Sequence, residues 1–300
     1  MDLSLEEQRK QKFNEALERE YVGCLFDVDG TLKARGERAI GAIMLEKLAQ
    51  LSIQSPMAVC TGRNLNLSYE KVATIFNHSS DPLYCQTNWF MICENGAIGY
   101  YFEQVDKVYK EMYRVPYPYD ENHRQKVMGL IKSKLEGKLG KAYLNEISLA
   151  LVPVGAEHDD LETVKQASAE IANVSREVLI DMDPKRALVI ADAVMGVNIF
   201  PRDGNKERGI KELSKFLLEK RGIAVDPEAK DLVCVGDQPQ PGGNDEVFLN
   251  GKIGTPFTAE EVHPENLLPL PIYDEAGNII KGPEATLSLI SRLKFKHNVI

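Results

Sequence analysis

Four short apolar runs punctuate the chain: VGCLFD (22–27), MAVC (57–60), FMIC (90–93) and LVCVG (232–236). Between them apolar residues recur at helical spacing, as in ERAIGAIMLEKLAQL (37–51) and in 64–76. An unbroken apolar run of this length fits a strand covered on both faces. Its alternation with helices predicts an α/β fold with a parallel sheet between two helical layers. Each run ends in a polar cluster, in turn DVDGT, TGRN, ENG and GDQPQPGGND. Ligands of open parallel sheets bind beyond the C-terminal strand ends. The four clusters are therefore expected to meet on one edge of the sheet, which is the candidate site.

After ENG the texture changes. Helix-like stretches at 121–138 and 158–173 alternate with SLALVPV, VLIDM, ALVIAD and GVNIF, each strand-like. So long a structureless loop is improbable, and the segment predicts a second α/β unit inserted into the first. The expected organisation is a core of 1–105 and 200–300 around an inserted unit of 106–199. NKERGIKELSKFLLEKRG leads back as a helix ending at Gly222. In the tail, PIYDEAGNIIKG predicts a hairpin around Gly277, and 284–295 a helix. The charged N-terminal stretch reads as a solvated helix packed through Leu3, Phe13 and Leu17.

Composition narrows the class. The 300 residues are 43% hydrophobic and 27% charged, as in soluble globular proteins. A net charge of −9 gives no footprint for nucleic acid and suits an anionic membrane surface poorly. No apolar run approaches the roughly 18 residues that span a bilayer, and the N-terminus lacks the apolar centre of a signal peptide. The five cysteines, an odd number without CxxC spacing, read as buried thiols of a reducing compartment. A cytoplasmic enzyme, monomer or homodimer, is expected.

The first cluster carries the chemistry. Asp27 and Asp29 stand one residue apart, and two carboxylates forced together cost free energy unless a cation or proton sits between them. DVDGT is compatible with an ordinary turn after a strand and with a metal site. A carboxylate, ionised at neutral pH, attacks phosphorus once a divalent cation offsets its repulsion from the phosphoryl group. Asp27 would bind the metal with one oxygen and attack with the other. Asp29, on the same side of the extended chain, would protonate the leaving alcohol and later deprotonate water. The Thr61 hydroxyl and the Gly62 amide are donors suited to a phosphate oxygen. Lys206 opens a helix, where its charge and the helix N-terminus both favour phosphate, though a lone lysine there also reads as a surface residue. GDQPQPGGND returns Asp237 and Asp245 through a glycine-rich loop, and such an oxygen-rich site suits Mg²⁺.

The order DVDGT, TGR, NK and GD…ND resembles the haloacid dehalogenase superfamily, in its branch with a large α/β cap inserted after the second motif. The resemblance spans nearly the whole chain from about residue 21. It implies a Rossmann-like core, a cap over the site, and Mg²⁺-dependent chemistry through an aspartyl-phosphate. By the match Asp27 is the nucleophile and Asp29 the general acid and base. Thr61 and Lys206 hold phosphate. Asp237, Asp27 and the Asp29 carbonyl ligate the metal, supported by Asn244 and Asp245. The acid at Asp29 separates the chain from the pumps and dehalogenases of the family. The longer GDQPQPGGND and FPRDGNK are similar to phosphomannomutase. Against mutase activity, the chain carries a phosphatase-like TGR. The positions matched to the arginines that grip the mutase's substrate hold Asn145 and Ala156, and neutral residues bind a second phosphate badly. The expected function is hydrolysis of a sugar or polyol phosphate, with a phosphohexomutase as the alternative. A non-catalytic binding module would have lost a nucleophile or metal acid, and none is lost. Arg63 reads equally as a substrate contact and as the partner of a core acid.

Overall fold

The computed structural model describes residues 3–156, 160–260, 262 and 265–296. Its elements run in chain order α1 (Leu5–Leu17), β1 (Glu20–Tyr21), β2 (Gly23–Phe26), α2 (Ala42–Ser52), β3 (Met57–Cys60), α3 (Leu65–Phe76), α4 (Pro82–Thr87) and β4 (Trp89–Cys93). There follow β5 (Ile98–Glu103), β6 (Val108–Arg114), α5 (Glu121–Lys134), β7 (Leu139–Leu144), β8 (Leu149–Pro153), α6 (Leu161–Met182), β9 (Leu188–Asp192) and β10 (Val197–Pro201). The last are α7 (Lys206–Arg221), β11 (Leu232–Gly236), β12 (Thr255–Thr258), β13 (Leu270–Tyr273), β14 (Ile279–Ile280), α8 (Gly282–Arg292) and β15 (Lys294–Phe295).

Nine strands form one sheet in the order β14-β13-β12-β11-β2-β3-β4-β5-β6. The six from β13 to β4 are parallel, and β14, β5 and β6 are antiparallel additions at the edges. Successive residues of a strand point to opposite faces, and both faces here are apolar. Cys24, Phe26, Met57 and Val59 pack with Phe13 of α1, Leu48 of α2, Val72 of α3 and Leu289 of α8. Their neighbours Leu25, Ala58 and Cys60 pack on the other face with Ile210, Leu213 and Leu217 of α7. Two helical layers thus enclose the sheet, as the continuous apolar runs require.

A second, antiparallel sheet has the order β7-β8-β10-β9. One face is apolar: Leu149, Leu151, Val197 and Ile199 pack against Val127 and Ile131 of α5 and Ile171 and Leu179 of α6. The alternate residues Ala150, Val152 and Asn198 face a cavity instead. The expected division at 105/106 falls in the turn between β5 and β6, and β6 stays in the large sheet. The division at 199/200 falls inside β10.

VLIDM, expected as a strand, is the last turn and a half of α6. Residues 158 and 159 of the expected helix 158–173 lie outside the described residues. The tail hairpin is present, with Tyr273 opposite Ile279 and Gly277 at φ 82° in the turn. The expected helix 284–295 stops at Arg292, and β15 pairs in parallel with β1. In α1, Phe13 is buried and Leu3, just before the helix, is exposed. No helix among the described residues is long and apolar enough to cross a membrane.

Candidate active site

The ends of β2 and β11 meet. The Asp27 amide donates to the Val235 carbonyl at 2.8 Å, which fixes the first residue after β2 beside β11. The next turn depends on Gly30, whose φ of +83° is left-handed. A Cβ there would stand 1.8 Å from Asp237 Oδ2. Asp245 is folded back beneath this edge, its Oδ2 accepting from the Asp237 and Gln238 amides at 3.0 and 3.1 Å. Asp27, Asp237 and Asp245 consequently offer carboxylate oxygens within 4.8 Å of one another, all buried.

Lys206 sits among them. As the first residue of α7 it is only 1% exposed, and its Nζ donates to Asp27 Oδ1 at 2.7 Å and Asp245 Oδ1 at 2.5 Å. The surface reading of this lysine is therefore corrected. Burial opposes its charge, but the two carboxylates outweigh it and hold the ammonium pKa above its ordinary value. Burial pushes the Asp27 carboxyl up to about 6, with Asp245 adding to the rise and Lys206 opposing it. Asp237 is also pushed well up, by burial and then by Asp245 and Asp27.

Asp29 is turned the other way. Lys33 Nζ lies 2.5 Å from its Oδ1, and Arg63 reaches Oδ2 through Nη2 at 2.6 Å and Nε at 3.2 Å. Burial raises its pKa, yet the two cations win and leave the carboxyl below its usual range. Arg63 thus pairs with a core acid and also lines the cavity described below, so both readings of it stay open. The sequence reading missed Lys33, and also Arg35, which donates to Asp237 Oδ2 at 2.9 and 2.5 Å. Their one signal was the basic stretch KARGER directly after the turn.

Thr61 and Gly62 follow β3, with Thr61 buried and its Oγ1 accepting from the Arg63 amide at 3.3 Å. A Cβ on Gly62 would stand 2.8 Å from Asn198 Nδ2, so a side chain there would have to displace that amide. Asp27, Asp29, Thr61, Gly62, Arg63 and Asn244 all line one cavity of about 610 Å³, with the second sheet as its opposite wall. That volume suits a small organic ligand.

The donors fit a hard divalent cation. Asp237 Oδ1 and Asn244 Oδ1 are buried without a partner, and burial together with the neighbouring carboxylates holds Asp27 and Asp237 above their ordinary pKa. An all-oxygen set of this kind is the Mg²⁺ type. The Asp29 carboxylate lies outside the cluster.

No family model matches the sequence, and no curated protein matches it. Solved structures do. N-terminally truncated Plasmodium falciparum IMP-nucleotidase with IMP bound superposes with a TM-score of 0.59 at 15% identity, covering 93% of this chain and 70% of that one. The C-terminal domain of C. albicans trehalose-6-phosphate phosphatase gives 0.61 at 14%, covering 94% and 96%. The chain has the fold of these phosphatases. The haloacid dehalogenase likeness read from the motifs is thus also a likeness of fold, with the parallel sheet and flanking helices in place.

Proposed function

We propose that this chain is a Mg²⁺-dependent phosphatase for a small phosphomonoester, a sugar or polyol phosphate, acting through a phosphorylated Asp27. The carrying observation is Lys206 buried against Asp27 and Asp245, beside Asp237, with Asp27 opening onto the 610 Å³ cavity. The fold shared with trehalose-6-phosphate phosphatase and IMP-nucleotidase supports the reading. The second sheet with α5 and α6 acts as a cap that supplies the far wall.

Asp27 and Asp237 would hold Mg²⁺, with Asn244 and Asp245 behind them, and the ion supplies the positive charge that offsets repulsion between carboxylate and phosphoryl group. Asp27, one oxygen held by Lys206, attacks phosphorus with the other. A P–O bond to Asp27 forms as the ester P–O bond breaks. Thr61 Oγ1 and the Gly62 amide donate to the phosphoryl oxygens. Asp29 delivers a proton to the leaving oxygen. Arg63 and Lys33 keep Asp29 ionised before substrate arrives, and a phosphoryl group competing for these cations lets Asp29 take up a proton from solvent. In the second half Asp29 takes a proton from water, the water oxygen bonds phosphorus, and phosphate departs with Asp27 restored.

Hydrolysis is favoured over mutase chemistry because the positions matched to the mutase's arginines, Asn145 and Ala156, line the cavity uncharged, although the second sheet also brings Lys141 to the lining. Phosphorus NMR on sugar phosphates, polyol phosphates and IMP, with Mg²⁺ and with a hexose bisphosphate added, tests the reading. Many turnovers of phosphate release, abolished by EDTA and restored by Mg²⁺, are expected. Interconversion of hexose 1- and 6-phosphate faster than release, or no release from any ester, refutes it.

A further inference from the structure

ENG (94–96) is the one strand-end cluster to which the chemistry gives no task. Its geometry is unusual. Glu94 and Asn95 follow β4 with φ of 52° and 61°, left-handed values for two consecutive residues that are not glycine. Gly96 completes the turn at φ 98°, and a Cβ there would lie 2.1 Å from the Asn205 carbonyl, immediately before Lys206. The backbone of the turn grips the phosphate loop: the Glu94 amide donates to the Arg63 carbonyl and the Asn95 amide to the Thr61 carbonyl, each at 2.9 Å.

The Glu94 side chain reaches the other way. Its carboxylate, 1% exposed, accepts from three successive amides of the inserted segment: Glu146 at 3.1 Å, Ile147 at 2.9 Å and Ser148 at 2.7 Å. No ion pair of Glu94 is found among the described residues, so these three amides carry its solvation. They lie in the turn that feeds β8. The residue before them, Asn145, lines the cavity and accepts from Asn64 Nδ2 at 3.2 Å. Successive amides converging on one buried anion form a rigid nest. One residue thus holds the phosphate loop with its backbone and the cap with its side chain.

We propose that Glu94 is a positioning residue that sets the cap over the phosphate loop. The inference rests on the phosphatase reading for its consequence and on geometry alone for the clamp. A substrate held between the two walls binds only the fraction of molecules in which they are in register, so loosening the clamp multiplies the apparent affinity by that fraction and raises the apparent Kd. The chemistry at Asp27 lies on the core side, which the clamp leaves standing. The expected signature is accordingly a rise in KM larger than any fall in kcat.

Glu94→Gln keeps the shape and replaces one acceptor oxygen by an NH₂ group facing the amides. It is expected to raise KM for a sugar phosphate at least tenfold and to speed hydrogen exchange of the amides of 146–148 at least tenfold. Glu94→Asp, which keeps the charge on a shorter stem, is expected to fall between wild type and Glu94→Gln in both, and serves alone if the amide variant does not fold. A merely structural role would accelerate exchange throughout and leave KM of the folded fraction at its wild-type value, and that result overturns the proposal. Unchanged exchange at the three amides overturns it as well. If the wild type releases no phosphate from any ester, the phosphatase reading fails, and the exchange measurement still decides the clamp.

Discussion

Lys206 keeps its charge at 1% exposure, and without it two buried carboxylates face each other. Lys206→Met is expected to cost about 3–5 kcal/mol at pH 7, the usual cost of leaving a buried charge unpaired. Urea midpoints check this, and the loss should shrink at pH 5, where Asp27 can take a proton. The sign of that effect follows from Asp27 itself. Its carboxyl is pushed up to about 6 in the fold, above the ordinary 3.8 of an aspartate in the unfolded chain. Between about pH 4 and 6 the native state holds a proton that the unfolded chain has lost, so this group's stabilisation falls as pH rises through the window. On the proposed reading Mg²⁺ competes with that proton. The rise of Tm on adding Mg²⁺ should therefore be larger at pH 7.5 than at pH 5, and the stabilisation behind it about 2.7 kcal/mol when free metal is a hundred times Kd. Equal shifts at both pH values would remove these carboxylates from the metal site. The two aspartates of the first turn should also separate. Asp27→Asn is expected to leave no phosphoenzyme and to lose about 10³-fold or more in kcat, some 4 kcal/mol of barrier. Asp29→Asn should slow an alkyl phosphate far more than a nitrophenyl phosphate, whose leaving group needs little proton donation. Equal losses on both esters would take the acid role from Asp29.

Among the elements, the turns that present the site are the least tolerant. Gly96→Ala would place a methyl 2.1 Å from the Asn205 carbonyl at a φ of 98°. A cost of about 2–4 kcal/mol is expected from strain and overpacking together. A melting temperature within a degree of wild type would show that the turn relaxes. The strands of the parallel sheet were legible because burial on both faces leaves no choice of residue: MAVC and LVCVG coincide with β3 and β11. β7 and β6 were not legible, since LGKAYL and VYKEMYR are half-exposed edge strands whose pairing, not composition, makes them strands. VLIDM misled because its apolar residues run together. In the fold Ile171, Ser175, Val178 and Leu179 lie on one buried stripe of a 22-residue helix. The site followed the same rule. Asp27 and Asp237 announced themselves by lying at strand ends, and Asp245 by the glycine-rich loop that returns it. Lys33, Arg35 and Glu94 did not, because a long side chain reaches its partner across the fold and no local pattern records the destination.

Over the whole molecule the two sheets divide the labour, the nine-stranded one carrying the acids and the four-stranded one the wall opposite. All five cysteines lie in the first or in a helix packed on it. Cys24, Cys60, Cys93 and Cys234 lie in β2, β3, β4 and β11, Cys85 lies in α4, and all are buried and free. Burial holds each thiol above its ordinary pKa, so little thiolate exists to react. Trp89, the single tryptophan, is buried in β4 among them. A disulfide reagent added to the native protein should therefore label the cysteines no faster than Trp89 fluorescence reports global unfolding. Faster labelling would reveal a partial opening of the large sheet. Movement of the inserted sheet leaves every sulfur where it was. Thiol release thus times the opening of one half of the molecule, and the other half can swing without being counted.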